Sequence, residues 1–186
     1  MALTKVRTGG VADNAITTAK LPADFNNGIT FYETMRLTSS VSTSGGDING
    51  TFESTDTGNP AKKLISSTGM SASSGIFTFP ATGMYFIMGR MRFFADLDLT
   101  YANMTIRTST DNFSSNDVEA AEGFASWGKH EGSNNYEMIA VDYIFDCENT
   151  STHKFKMRAG GTSTITLGNS TNLNSTYVTV VRLGDT

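Results

Sequence analysis

The sequence predicts an all-β fold, an antiparallel sandwich, on three observations. Apolar residues recur at every second position in segment after segment, and no window of helical period competes with them. Ser and Thr make up about a quarter of the 186 residues and Gly another 18, a composition that suits pleated surfaces and turns. Stretches rich in Gly, Ser and Asn separate the alternating segments, as turns separate strands. With 38% hydrophobic and 10% aromatic residues the chain can build one substantial core. A coiled coil, a collagen repeat and a disordered polyelectrolyte are excluded.

Taken in order, residues 1–26 form an arm and residues 27–186 one sandwich domain. In the arm, Gly9-Gly10 breaks any early element, and Pro22 ends a short helix that Asp13 or Asn14 would cap. That helix is too short and polar to stand alone, so a neighbouring chain is the expected support. Ile29, Phe31, Met35 and Leu37 then alternate with Thr30, Tyr32, Thr34 and Arg36. Residues 38–75 are Ser/Gly-rich, with short strands expected at 50–54 and 63–67. Between Gly75 and Phe94, Tyr85, Ile87, Met91 and Phe93 share one face, and Phe86, Met88, Arg90 and Arg92 the other. Ala102, Met104 and Ile106 alternate with Asn103, Thr105 and Arg107, and Ile139, Val141, Tyr143 and Phe145 with Ala140, Asp142, Ile144 and Asp146. Phe155 and Met157 alternate with Lys154, Lys156 and Arg158 as an inside/outside code. Gly160-Gly161 is expected to be the hairpin turn after it. The last strand places Tyr177, Thr179, Val181 and Leu183 on one face.

Little in the chain suggests chemistry, and the expectation is a binding protein and no enzyme. A net charge of −4 gives no basic field for nucleic acid or an anionic membrane, and no apolar run approaches a membrane span. Lys5 and Arg7 are followed by no apolar segment, so no secretory signal is expected. With one thiol, Cys147, the expected place of synthesis is a reducing cytosol. Cys147 is read as a small buried hydrophobe, and one cysteine excludes an internal disulfide or a Cys-based zinc site. There is no phosphate-cradling Gly-Lys-Ser/Thr loop and no Gly-x-Ser-x-Gly elbow. His130 lies in a polar Gly-Lys-His-Glu-Gly loop, and His153 at a strand start; both are read as structural or solvated. Asp96 with Asp98, and Glu119 with Glu122, are acidic pairs in expected loops, without the spacing of a calcium loop. No cofactor or metal is expected. Asn-x-Ser/Thr triplets at Asn103, Asn149 and Asn174 are chance products of a Ser/Thr-rich chain.

Two features suggest partners. The Tyr85–Met88 strand is apolar on both faces, whereas a sandwich strand needs one apolar face for its own core. The second face must meet a ligand, a covering loop or another subunit. Residues 108–135 read as a long polar loop holding Phe113, Phe124 and Trp127, either contact anchors for a partner or a lid over one end of the sandwich.

Three segments together carry a family likeness: the run from Gly75 through Pro80, Gly83 and Tyr85 to Ile87, the strand Met138–Asp146 leading to Lys154–Arg158, and the closing run from Ser175 to Asp185. Their order resembles the tumour-necrosis-factor-like jelly roll, also the fold of the complement globular head, and Pro80, Gly83 and Tyr85 match its Pro-x-x-Gly-x-Tyr corner. The resemblance implies a homotrimer packed about a three-fold axis, with Tyr85, Phe86, Met88 and Tyr177 as interface candidates.

The arm resembles something different. Leu3, Thr4, Lys5, Val6, Gly9, Gly10, Val11, Asn14, Ala15, Ile16, Thr17, Ala19, Lys20 and Leu21 are similar to the opening of many tailed-phage virion proteins. That similarity implies an attachment arm, with Leu3, Val6, Val11, Ile16 and Leu21 as anchoring candidates. The two resemblances together imply a bacteriophage structural protein, made in the host cytoplasm and resident on the virion. It would be a capsid decoration or cement protein bound to the major capsid protein or another virion protein. The alternative is a short tail fibre or receptor-binding tip, whose polar loops would meet a host glycan or surface protein. A cytokine-like ligand ranks lower.

Overall fold

The computed structural model describes residues 29–55, 63–64, 68–95, 98–128 and 135–186. The arm, residues 1–26, lies outside the described residues. Among those described the chain is all β, with twelve strands: β1 (Phe31–Leu37), β2 (Val41–Asp47), β3 (Phe52–Ser54), β4 (Lys63–Leu64), β5 (Ser71–Ser73), β6 (Ile76–Thr78), β7 (Gly83–Ala95), β8 (Leu99–Ser109), β9 (Val118–Trp127), β10 (Asn135–Cys147), β11 (Lys154–Leu167) and β12 (Tyr177–Gly184).

They form two antiparallel layers. In the first, β1 pairs with β3, β4 and β12, β12 with β7, and β7 with β10. In the second, β11 pairs with β2 and β6 on one side and β8 on the other, β8 with β9, and β5 with β6. The far end of β11 also reaches β7, at Thr166 opposite Phe94 and Leu167 opposite Phe93, so the layers meet along one seam.

The period-two code decides what lies between them. Tyr85, Ile87, Met91 and Phe93 of β7 are fully buried, as are Ala102, Met104 and Ile106 of β8 and Val178 of β12. Aromatic rings form the densest part of the core. Phe77 stacks on Phe155 at 4.7 Å, and Phe79 lies 5.4 Å from Phe155 and 4.5 Å from Tyr85. Cys147 is buried at the end of β10, and that burial pushes its thiol up to about 11. The native protein is therefore expected to resist a thiol-modifying reagent at pH 8 and to label fully once unfolded; rapid labelling of the native form would contradict the burial.

The Pro80–Tyr85 corner explains itself physically. Gly83 has φ 142°, and a Cβ there would come within 2.5 Å of the Gly184 carbonyl oxygen, so only glycine lets β7 start tight against the end of β12. The Tyr85 hydroxyl donates to the Ala81 carbonyl at 2.9 Å and fastens the turn to the core. Burial pushes that phenol up to about 12.

Three expectations need correction. Residues 108–135 are not one loop: β8 runs to Ser109, and β9 occupies 118–127 and pairs with β8. Gly160-Gly161 is no hairpin turn. β11 runs straight through it, with a bulge against β2 between Gly160 and Ile165. Lys154 and Lys156 are buried rather than solvated, because charged and polar neighbours cover their ends. The Lys154 ammonium donates to Thr78 Oγ1 at 2.9 Å and to the Thr150 carbonyl at 2.6 Å.

Candidate interaction surface

The outward face of the first layer is set by the side of β7 that the core does not use. Register places Tyr32, Val181, Phe86 and Ile144 in one row across β1, β12, β7 and β10. The next row holds Thr34, Thr179, Met88 and Asp142, and the one after it Arg36, Tyr177, Arg90 and Ala140. Beyond these, Arg92 lies opposite Met138 and Phe94 opposite Tyr136. Ile144 is 51% exposed, Met138 50% and Tyr136 58%. Phe86, Met88, Tyr177 and Val181 are half-buried. The first of these rows is apolar across all four strands, and the next two set Met88, Tyr177 and Ala140 among threonines, arginines and Asp142.

Its polar groups are mostly matched within the chain. Arg90 pairs with Asp142 at 2.9 Å, Arg36 with Glu53 at 2.9 Å, and the Thr34 and Thr179 hydroxyls hydrogen-bond at 2.8 Å. The Arg92 guanidinium lies 5.8 Å from the centre of the Tyr136 ring, while its buried Nε has no partner among the described residues.

The second layer presents different chemistry outward. Lys156 Nζ bridges Asp117 at 2.8 Å and Asp47 at 3.0 Å, and sits 4.3 Å from the centre of the Phe113 ring. Arg107 holds the same Asp117 at 2.7 Å. Partial burial works to raise the Asp117 carboxyl, but Lys156 and Arg107 together outweigh it and hold the group below its ordinary range. This knot pins the segment between β8 and β9, inside which Asp111 is held near 2 by hydrogen bonds led by the Ser115 hydroxyl.

The structure sorts the expected site residues. Phe86, Met88 and Tyr177 share the outward face of the first layer. Tyr85 does not. It is fully buried with its hydroxyl tied to Ala81, so its place among the interface candidates is corrected to core. Phe113 is covered by Lys156, while Phe124 projects from β9 into solvent. The backbone of Trp127 in β9 pairs with Leu99 of β8, and its side chain lies outside the described residues. The anchoring candidates Leu3, Val6, Val11, Ile16 and Leu21 are likewise outside, as are Asp96 and His130. Glu119 and Glu122 stand on β9 rather than in a loop. His153 Nδ1 lies 3.1 Å from the Thr152 hydroxyl. Among the described residues no group of three or more His, Cys, Asp or Glu side chains could hold a metal ion, and no helix is long and apolar enough to cross a membrane. Met138, Tyr136 and Ile144 are absent from the sequence-based candidates, although their alternation with Ile139 and Tyr143 in β10 is the signal that places them outward.

No protein-family model matches the chain, and no curated protein matches it in sequence. Its likeness is to solved structures. Murine APRIL, in a crystal structure at pH 5.0, matches with a TM-score of 0.59 at 11% identity, over 82% of this chain and 98% of that one. Eiger TNF from S. frugiperda matches with a TM-score of 0.60 at 11% identity, over 84% and 95%. The fold is a tumour-necrosis-factor-like jelly roll. Within that jelly roll, β1, β12, β7 and β10 make the layer with the apolar row Tyr32–Val181–Phe86–Ile144 on its outward face, and β2, β11, β8 and β9 the layer with the Lys156–Asp117–Arg107 cluster.

Proposed function

We propose that this chain is a structural protein of a bacteriophage virion, a homotrimeric capsid decoration or cement protein that binds the head surface. The observation that carries self-association is the apolar row Tyr32–Val181–Phe86–Ile144 with Met88, Met138 and Tyr136 around it. A second copy is the natural cover for such a face, and three-fold closure uses it fully without leaving a growing end. The tumour-necrosis-factor-like resemblance implies the same stoichiometry. The virion reading rests on the similarity of residues 1–26 to phage virion openings. On this reading Leu3, Val6, Val11, Ile16 and Leu21 bury against the major capsid protein or another virion protein. The trimer base sits at local three-fold points and resists internal pressure by added buried contact. The mechanism is binding alone, involving neither nucleic acid nor membrane. The protein is made in the host cytoplasm and ends on the particle.

Deleting residues 1–26 is expected to leave a soluble trimer that no longer co-sediments with undecorated capsids. If the truncated trimer still decorates them, the arm is not the anchor. A second reading, a short tail fibre or receptor-binding tip, is favoured by the solvent-facing aromatic pair Tyr101 and Phe124 on the opposite layer. Copy number per particle separates the two: hundreds for a head decoration, on the order of ten for a tail part.

A further inference from the structure

The outward face of the second layer carries an arrangement that neither packing nor self-association uses. Register aligns Phe124 of β9, Asn103 of β8, Gly160 of β11 and Gly45 of β2 in one row. Phe124 is 62% exposed and Tyr101 41%, their ring centres 6.0 Å apart in an edge-on pair. Two large rings left in water, Tyr101 on β8 and Phe124 on the edge strand β9, contribute nothing to the core, which the small residues Ala121, Gly123 and Ala125 meet on the other side of β9.

Beside the rings, Asn103 Nδ2 donates to Glu122 Oε1 at 2.6 Å, which fixes both planar groups and leaves the second Glu122 oxygen as an acceptor. The Asn103 side chain lies over bare backbone: a Cβ at Gly160 would come within 2.6 Å of Asn103 Oδ1. Next to it, a Cβ at Gly45 would meet nothing within 4 Å. The row is therefore a shallow shelf, with aromatic rings at one end, a held amide–carboxylate pair in the middle and an open glycine floor.

We infer that this shelf binds a neutral pyranoside, its C–H face against Phe124 and its hydroxyls at Asn103 and Glu122. A sugar ring offers one apolar face and a rim of paired donors and acceptors, which is what the shelf complements. Charge decides for a neutral sugar. The carboxylate nearest the rings repels an acidic one, and the neighbouring cations Lys156 and Arg107 are already engaged by Asp47 and Asp117. Arg158, exposed two positions from Gly160 on β11, is a donor at the margin. The inference rests on the first layer being the self-associating one, which leaves this face outward, and it deepens the tail-tip reading without requiring it.

The test is ligand-observed NMR with the full chain and five probes at millimolar concentration: methyl glucoside, methyl galactoside, methyl mannoside, N-acetylglucosamine and sialyllactose. At least one neutral probe is expected to bind. Phe124→Ala should weaken it about tenfold. Asn103→Ala, which removes the amide the hydroxyls would meet and releases the Glu122 carboxylate, should abolish it. Both variants should keep the parent's sedimentation and melting behaviour, so a loss of sugar binding is separable from a failure of self-association. Absence of binding by every neutral probe overturns the inference. So does binding that both variants retain, or binding confined to sialyllactose and lost in Arg158→Ala.

Discussion

Replacing Phe86 by Asp is expected to convert the proposed trimer into a folded single chain sedimenting at 20.0 kDa. Phe86 stands in the middle of the first layer's outward face, with Val181 on one side and Ile144 on the other. In the lone subunit it is half-buried, so the introduced carboxylate can reach water and the core behind β7 is untouched. In the proposed trimer the same position is dry. Each copy loses about 1.5–3 kcal/mol of apolar burial, and an unpaired charge in the interface costs several kcal/mol more. Repeated in three copies, the change shifts the association constant by many orders of magnitude. Sedimentation velocity reads the result, and circular dichroism confirms the fold. A Phe86→Asp variant that remains trimeric would remove this face as the interface, and a parent chain that sediments alone would remove self-association itself.

The second large effect is on stability. Phe77→Ala is expected to cost about 3–5 kcal/mol. Phe77 is fully buried on a three-residue strand, stacked on Phe155 at 4.7 Å with 7° between the rings, and edge-on to Phe52 of the other layer at 4.9 Å. It joins β6, β11 and β3, so its removal opens a void that short strands fix on both sides and cannot readily collapse. For a domain of this size the melting temperature should fall by roughly ten degrees, with the parent's sedimentation retained below the transition. A change of about 1 kcal/mol or less would mean that the aromatic cluster repacks, against the rigid stacking seen here.

Much of this is legible in the residue order, and what escapes it has identifiable causes. β7, β10 from Met138 onward and the first half of β12 follow the alternation and lie where it puts them, as do Ala102, Met104 and Ile106 of β8. β9 escapes because its inward positions are Ala121, Gly123 and Ala125, small residues that give no hydrophobic signal. They are small because a Cβ at Gly123 would come within 2.9 Å of Ile139 and Val141 on β10. β2 hides for a related reason, with Ser and Gly facing other small residues across Gly45–Gly160. The buried lysines of β11 read as solvated since the carboxylate partners of Lys156, Asp47 and Asp117, are far away in sequence. On the candidate surface, the alternation in β7 puts Tyr85 on the inward face with Ile87, where the structure has it, and the family resemblance is what adds it to the interface candidates. The hydrogen bond to Ala81 that holds it inward has no sequence signature beyond the corner itself.

Midway along β7, Gly89 leaves a notch on the inner side of the first layer. The Met104 methyl of β8 fills the place where a Cβ would stand, and the Met157 sulfur of β11 lies 3.5 Å from it. Thioether chains are unbranched and easily re-rotated, so at the waist of the sandwich the fit between layers is made by adaptable filler rather than rigid rings. The result is a compliant joint directly behind the proposed docking face. When that face seats against a neighbour, small rotations of one layer over the other can be taken up there without opening a cavity, while the aromatic end near Phe77 stays clamped.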